Sequence, residues 1–292
     1  MKTTKLAKSY RIDDGKHFRL KDFDPADTGH WHSEDEAKER LQEDIARMRK
    51  LQDKLYAQDC WSLLLIIQAM DAAGKDGTIN HVMSGVNPEG VQVRSFKQPS
   101  STELQHDFLW RTTVQLPERG HIGIFNRSYY EELLIVRVHP KVLEGENLPP
   151  TLLTKNIWEE RFEDIRSFER HLARNGTVIR KFFLHVSKKE QKRRFLARLE
   201  EPEKNWKFSA ADIHERKYWD DYQNAYEDMI RNTATKHAPW YVIPADNKWF
   251  THMAVAAAIV ETLEELNLSY PKVNAAKRKE LEAARRLLVK KD

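Results

Sequence analysis

The sequence contains little cysteine, glycine or proline, and it has no long apolar run. Its one cysteine, Cys60, excludes a disulfide framework and a thiolate metal cluster, and it is typical of a reducing cytoplasm. The 10 glycines and 11 prolines among 292 residues exclude collagen-like and low-complexity chains. No apolar run near the start could serve as a signal peptide, and no later run approaches the length of a membrane span. We therefore expect a soluble, cytoplasmic protein that has no membrane partner.

The net charge is too small to indicate nucleic acid as a partner. The chain carries 49 basic and 45 acidic side chains, which leaves a formal net charge of +4. One segment differs, because residues 188–198 contain six basic residues and a single acid, Glu190. This local excess indicates an anionic ligand, although a solvated basic helix face would have the same composition.

Strand-like and helical patterns alternate along the chain. Ser33 stands three residues before Glu36 in a capping-box pattern and opens a helix that extends to about Ala57. Apolar runs predict strands at residues 61–68, 91–96, 121–125, 178–186 and 240–243. Helices are predicted at about 79–84, 102–112, 128–137, 157–174, 211–231 and 249–266, and from residue 275 onward. The alternation predicts an α/β fold with a mainly parallel sheet, right-handed crossovers and helices on both faces.

The first buried strand is followed by a loop that is close to the phosphate-loop pattern. The sequence Ala69-Met-Asp-Ala-Ala-Gly-Lys75-Asp-Gly-Thr78 has Ala69 in place of the first glycine and Asp76 in place of the hydroxyl residue. Backbone NH groups and a helix N-terminus converge on an anion at such a junction, so Lys75 would be a point charge on a phosphate. The alternative is an ordinary glycine turn with a solvated lysine.

Asp71 is a carboxylate inside this loop, where it would repel phosphate unless a cation lay between them. Mg²⁺ is the obvious cation, because it keeps several waters and binds through one or two carboxylates and the substrate phosphates. Asp71 could instead cap the following helix or accept a hydrogen bond from Lys75.

The third predicted strand ends in Asn126-Arg127, where phosphate-loop enzymes carry an acid. Substrates of open α/β sheets lie beyond the carboxyl ends of the strands, so Asn126, Arg127 and Glu131 should face the same crevice as Lys75. Arg127 could neutralise a transferring phosphoryl group, or it could form an ion pair with Glu131 four residues later.

Other candidates are better explained as structural residues. His30-Trp31-His32 has the spacing of two metal ligands, but no third ligand is placed nearby. The aromatic side chains that could stack on a base are also typical of a core; they are Trp206, Trp219, Tyr222 and Trp240.

A set of motifs in one order resembles the family-2 polyphosphate kinases over about residues 10–270. The motifs are Gln68–Thr78, Gly85-Val-Asn-Pro-Glu-Gly90, Phe125-Asn-Arg-Ser-Tyr-Tyr-Glu131, Val136-Arg-Val-His139, Lys181–Ser187, Glu190-Gln-x-x-Arg194-x-x-x-Arg198, Trp206-Lys207 and Ala238-Pro-Trp240. Many members have Asp-Arg where this chain has Asn126-Arg127. The Asn form with Glu131 resembles the class III branch, which phosphorylates both nucleoside mono- and diphosphates, and it leaves open whether Asn126 contributes to metal binding.

The element pattern and the resemblance together predict a three-layer α/β/α phosphate-loop kinase fold and a division of the chain into three parts. These are an N-terminal arm (1–32), a kinase domain (33–270) whose basic helical lid spans about 187–217, and a C-terminal helical tail (271–292). The resemblance implies phosphoryl transfer between inorganic polyphosphate and AMP or ADP, with GMP and GDP as further candidates. We expect Mg²⁺ to assist the transfer and the chain to form a homo-oligomer that binds no nucleic acid.

The predicted site residues fall into three groups. Asp71, Lys75 and Arg127 are the catalytic candidates, and Asp71 is also the metal ligand. Polyphosphate is predicted to bind Gly74, Lys75, Arg127, Arg194, Arg198 and Lys207. The nucleotide is predicted to bind Asp76, Gly77, Thr78, Asn126, Glu131 and Arg137. Two rival functions share these features: an ATP-dependent nucleotide kinase of the thymidylate-kinase type, and a non-catalytic nucleic-acid binder that uses residues 188–198.

Overall fold

A six-stranded, mainly parallel sheet forms the centre of the computed structural model, which describes residues 6–289. Residues 1–5 of the predicted arm and 290–292 of the predicted tail therefore lie outside the described range. The strands are β1 (Arg11–Ile12), β2 (Ser62–Ala69), β3 (Val91–Ser95), β4 (Ile122–Asn126), β5 (Thr177–His185) and β6 (Trp240–Pro244). Their order across the sheet is β1-β6-β5-β2-β4-β3. All neighbours are parallel except β1, which pairs antiparallel with β6.

The central strand β2 pairs with β5 on one side and β4 on the other. All eight of its residues are buried, which explains why its sequence is a nearly continuous apolar run rather than an alternating one. Each of the five predicted strands lies within one residue of its observed bounds at both ends.

Helices cover both faces of the sheet. In chain order they are α1 (Glu34–Gln58), α2 (Lys75–Val82), α3 (Trp110–Thr113), α4 (Ile135–Val138), α5 (Pro140–Glu144), α6 (Ile157–Arg174), α7 (Lys188–Glu200), α8 (Ala210–Glu215), α9 (Trp219–Thr233), α10 (Lys248–Glu265) and α11 (Ala275–Val289). Helices α1, α2 and α10 pack in one layer, and α6 and α9 pack in the other. This confirms the predicted three-layer α/β/α arrangement.

Three predicted helices are shorter or broken. Residues 102–112 form a 3-10 turn (Glu103–Gln105) and the short α3, because the Asp107 carboxylate caps a new turn at Leu109. Residues 128–137 form a 3-10 helix (Tyr129–Leu133) followed by α4. The predicted helix 211–231 is divided by a 3-10 turn at Arg216–Tyr218, where Arg216 donates to Gln191 and to the Lys188 carbonyl.

The two ends of the described chain differ in how they pack. Before α1, a 3-10 helix (Leu6–Tyr10) and β1 extend the sheet, and Tyr10 is buried in the core. At the other end α11 is exposed along its whole length. Within residues 6–289, no helix is both long enough and apolar enough to cross a membrane.

Candidate active site

The loop between β2 and α2 has backbone angles that few residues adopt. Gly74 precedes the helix with φ 109°, and Ala72 has φ 61°, in the left-handed region that favours glycine. The first NH groups of α2 have no partner within the helix. Gly74, Lys75, Asp76 and Gly77 all line the crevice above the sheet, so this helix start can receive an anion.

Lys75 folds back over its own loop. Its Nζ donates to the carbonyls of Ala69 (2.8 Å) and Met70 (3.4 Å). Burial and the neighbouring Arg127 lower the pKa of Lys75 to about 8, although the carboxylates of Asp71, Glu131 and Asp76 oppose this shift. A bound phosphate would supply the negative charge that restores the ammonium form.

The end of β4 meets the phosphate loop, as the sequence predicted. The Asn126 amide donates to Asp76 Oδ1 at 2.6 Å. The next residue, Arg127, has φ 64°, which costs about 1–2 kcal/mol in a residue other than glycine. This backbone conformation is compatible with the Arg127 side chain lying over the crevice rather than within the sheet.

Arg127 joins the loop to the helix after β4. It donates to Asp71 Oδ1 at 2.8 Å and to Glu131 Oε2 at 3.3 Å. Burial alone would lower the pKa of Arg127, but the carboxylates of Glu131 and Asp71 raise it, so this residue stays charged. Burial raises the pKa of Glu131, and Arg127 and Lys75 partly offset that shift. The alternative Arg127–Glu131 pair is thus present alongside the pair with Asp71.

A cavity of about 710 Å³ lies across the carboxyl ends of the strands. Nine lysine and arginine side chains line it, against three carboxylates, so the cavity is suited to a polyanion. Five of these cations are predicted site residues: Lys75, Arg127, Arg194, Arg198 and Lys207. The other four were missed: Lys97, Arg193, Lys204 and Lys248.

A positional signal could have found two of the missed cations. Lys97 lies two residues after β3, and Lys248 lies four residues after β6, so both follow the carboxyl end of a parallel strand. Arg193 belongs to the basic segment 188–198, which already indicated an anionic ligand, and Lys204 lies in the 3-10 helix (Pro202–Lys207) that follows α7. His252 also lines the cavity, and burial lowers its pKa to about 4, so its ring adds no charge at neutral pH.

The two arginines predicted on one face of α7 differ in their partners. Arg194 is 6% exposed, and all of its side-chain hydrogen bonds are to protein groups. Arg198 is more open and makes only two longer bonds, to the Lys207 carbonyl (3.4 Å) and to Asp212 (3.2 Å). Lys207 itself is exposed, above the ring of Trp206.

Several other candidates lie away from the cavity. Thr78 is buried in α2, and Arg137 donates to Asp228 on α9 at 2.7 Å. Of the aromatic residues, Trp219, Tyr222 and Trp240 are buried, whereas Trp206 is 77% exposed. Glu131 does not line this cavity but lines a small second one of about 60 Å³ with Tyr222 and Tyr226. Asp71 and Arg127 form the wall between the two cavities.

The site suits a cation that binds largely through its substrate. Among the described residues, no group of three or more His, Cys, Asp and Glu side chains could hold a metal ion. His30 and His32 therefore belong to no such group. Asp71, one of the three carboxylates that line the cavity, is one-third exposed. This donor set fits Mg²⁺, which needs only one or two carboxylates when waters and phosphates complete its coordination.

Comparison with known proteins decides the family. The family model of polyphosphate kinase 2 matches residues 31–271. This chain belongs to the polyphosphate kinase 2 family. An ADP-polyphosphate phosphotransferase of Rhodopseudomonas palustris is 54% identical over 284 residues, which cover 94% of this chain and 98% of that protein. An AMP/ADP-polyphosphate phosphotransferase of Meiothermus ruber is 48% identical over 273 residues, covering 93% and 98%.

A solved polyphosphate kinase 2 has the same fold. The crystal structure of the enzyme from Arthrobacter aurescens superposes with a TM-score of 0.86 at 40% identity and covers 96% of both chains. This confirms the predicted kinase fold. The stretch that matches the polyphosphate kinase 2 family contains every predicted site residue, whereas α11 lies beyond it.

Proposed function

We propose that this member of the polyphosphate kinase 2 family transfers phosphoryl groups between inorganic polyphosphate and nucleoside mono- or diphosphates, so that AMP is converted to ADP and ADP to ATP. The observation that carries the proposal is the cavity lined by nine cations above a phosphate loop. A linear polyanion with a charge on every phosphate matches this lining better than a single triphosphate does. The names of the two relatives support the same donor and acceptors.

The catalytic residues act on charge and position rather than through a covalent intermediate. Lys75 and Arg127 neutralise the transferring phosphoryl group, while the helix start at Gly74 receives a neighbouring phosphate. The acceptor phosphate oxygen attacks in line, so holding both substrates at the correct distance is the main catalytic task. Mg²⁺, held by Asp71, would neutralise phosphate oxygens when bound.

Polyphosphate and nucleotide use different parts of the cavity in this proposal. Arg198 and Lys207 hold the polyphosphate, and Lys204 and Lys248 extend that track. Asp76, Gly77 and Asn126 face the nucleotide phosphates, and Glu131 faces the acceptor from the wall beside Arg127. Thr78 is buried and Arg137 is paired with Asp228. In this proposal the two residues support nucleotide binding indirectly, by holding their neighbours, rather than by contacting the nucleotide.

A donor comparison tests the proposal against its rivals. The purified protein is incubated with Mg²⁺ and either polyphosphate or ATP, and with AMP, ADP, GMP or GDP as acceptor, and the products are resolved by chromatography. We expect polyphosphate-dependent formation of ADP and ATP. In Lys75→Ala the rate of both reactions should fall on the order of a hundredfold or more. Transfer only from ATP would favour the thymidylate-kinase type, and no turnover would favour a non-catalytic binder.

We further propose a cytoplasmic location and an oligomeric state for the enzyme. A cytoplasmic location is consistent with the single, exposed Cys60. We also propose a homo-oligomer, since α11 exposes Leu281, Leu287 and Leu288 to solvent. Light scattering of the purified chain, with and without residues 271–292, would test whether this helix takes part in assembly.

A further inference from the structure

Side chains hold most of the carbonyl groups in and next to the phosphate loop. From Ala69 to Ala73, five consecutive carbonyls accept a side-chain hydrogen bond. Lys75 donates to the first two, Gln191 Nε2 donates to the Asp71 carbonyl at 3.0 Å, and Arg194 donates to those of Ala72 (3.0 Å) and Ala73 (2.7 Å). Three of the five are therefore held by two side chains of α7.

Arg194 has no NH group left for a phosphate in this arrangement. A guanidinium has five NH donors. In Arg194, Nε donates to Glu190 and Nη1 to the two loop carbonyls, while Nη2 donates to the carbonyls of Ala245 (2.6 Å) and Asp246 (3.1 Å). This one side chain joins α7, the phosphate loop and the segment after β6.

The loop needs such support. Ala72 holds φ 61°, a conformation that an alanine rarely adopts without surrounding contacts. A carbonyl oxygen turned toward the crevice would repel a phosphate, whereas the NH groups at the start of α2 attract it. Holding the carbonyls on the side of α7 therefore keeps the loop in its anion-binding form.

We infer that Arg194, with Gln191, is a positioning residue that fixes the backbone of the phosphate loop, rather than a residue that binds polyphosphate. The inference rests on the proposed function for its assay. It also divides the predicted lid: the first half of α7, which includes Gln191 and Arg194, is a fixed wall of the site. Arg198, one turn later, is open to the cavity and keeps the role of a polyphosphate ligand.

Charge-conserving variants separate positioning from binding. Arg194→Lys keeps the positive charge but cannot reproduce the five bonds. Gln191→Met keeps similar bulk and removes the bond to the Asp71 carbonyl. It also removes the bond that Gln191 accepts from Arg216, but Arg216 retains its bond to the Lys188 carbonyl. The matched control is Arg180→Lys, which removes a buried guanidinium bonded to Thr262, Glu265 and the Ile179 carbonyl. Arg180 lies on β5 and does not line the site.

The measurements are kcat and KM for both substrates, the thermal midpoint, and the salt dependence of polyphosphate binding. We expect kcat of Arg194→Lys to fall on the order of a hundredfold, since small misplacement of reacting groups has such effects. The KM values and the salt dependence should change little. Gln191→Met should lower kcat in the same way but less. Arg180→Lys should lower the thermal midpoint and leave kcat near that of the wild type.

Two outcomes would overturn the inference. If Arg194→Lys raises the KM for polyphosphate, keeps kcat and makes binding less dependent on salt, Arg194 contacts the polyanion directly. If Arg194→Lys lowers only the thermal midpoint, as Arg180→Lys does, its role is general stability. Absence of activity in the wild type would instead contradict the proposed function, and this result differs from both outcomes above, which require an active wild type.

Discussion

The amide of Asn126 donates a 2.6 Å hydrogen bond to the carboxylate of Asp76, and this contact links the end of β4 to the first turn of α2. The two residues are 50 positions apart in sequence, and they meet because β4 pairs with β2, the strand that precedes α2. An aspartate at position 126 would place two carboxylates at this distance, where they repel each other unless a proton or a cation lies between them.

Asn126→Asp should therefore make the stability of the free enzyme depend on Mg²⁺. We expect its thermal midpoint to fall in the absence of divalent cations, to fall further as pH rises, and to recover when Mg²⁺ is added. The wild type should respond less to Mg²⁺. The control is the double variant Asn126→Asp/Asp76→Asn, which restores a single carboxylate and should behave like the wild type. An equal Mg²⁺ response in all three proteins would contradict this account.

The lowered pKa of Lys75 predicts an alkaline limit on the use of polyphosphate. Its pKa lies at about 8 instead of the usual 10.5, so the free enzyme loses the positive charge as pH rises through about 8. The value of kcat/KM for polyphosphate should fall over that range, because this ratio reports on the free enzyme. The measurement is a pH profile of kcat/KM, and a flat profile through pH 8 would contradict the assignment.

The contribution of Lys75 to stability should change with pH in the opposite direction to its contribution to activity. Between about 8 and 10.5 the unfolded chain binds more protons at Lys75 than the folded chain does. The contribution of this group to the free energy of unfolding therefore increases with pH over that range. A loss of activity that accompanies unfolding would thus have another cause, and a thermal midpoint measured at each pH tells the two apart.

The sequence predicted the parts of this structure that depend on local patterns. The Ser33 cap accepts from the Glu36 NH group, and the apolar run of β2 is buried on both faces, as expected. It did not predict β1, whose two residues are set by pairing with β6, or the break at Arg216, whose partners lie on α7. These features depend on contacts between distant segments and leave no local pattern.

The same limit applies to the site. Positions after strand ends predicted that Asp71, Lys75 and Arg127 would converge, and they do. Helical spacing predicted that Arg194 and Arg198 share a face of α7, but spacing does not determine what each side chain contacts. Arg194 reaches backbone carbonyls that are more than 50 residues away in both directions, and only the tertiary fold brings them together.

Breaking the buried ion pair between Lys181 and Glu169 should strongly lower the free energy of unfolding. Lys181 and Glu169 are both fully buried, and Lys181 Nζ also donates to Tyr130 and to the Thr233 carbonyl. Burial lowers the pKa of Lys181, and the neighbouring Glu169 opposes that shift. Lys181→Met leaves the Glu169 charge without its partner and should lower the free energy of unfolding by about 3–5 kcal/mol.

Chemical denaturation tests this value. The double variant Lys181→Met/Glu169→Gln removes both charges and should recover part of the loss. The exposed pair Lys277–Glu280 is the control, and Lys277→Met there should change stability by no more than about 0.5 kcal/mol. If Lys181→Met lowers the free energy of unfolding no more than the control does, the buried pair does not have the stabilising effect predicted for it.

Glu131 should influence which nucleotides the enzyme accepts. It holds one side of Arg127, while Asp71 holds the other, so the Glu131 charge sets where the guanidinium lies between the two cavities. Glu131→Gln keeps the size of the side chain and weakens this contact from an ion pair to a hydrogen bond with an uncharged acceptor. Arg127 should then move toward Asp71, which alters the position available to an acceptor with one phosphate relative to an acceptor with two. We expect the ratio of initial rates with AMP and with ADP to shift several-fold.

Glu132→Gln is the matched control, since Glu132 lies on the same 3-10 helix but is bound by Arg161 and lines neither cavity. An AMP-to-ADP ratio that stays the same in Glu131→Gln, or that moves equally in Glu132→Gln, would mean that Glu131 is only a structural acid of this helix.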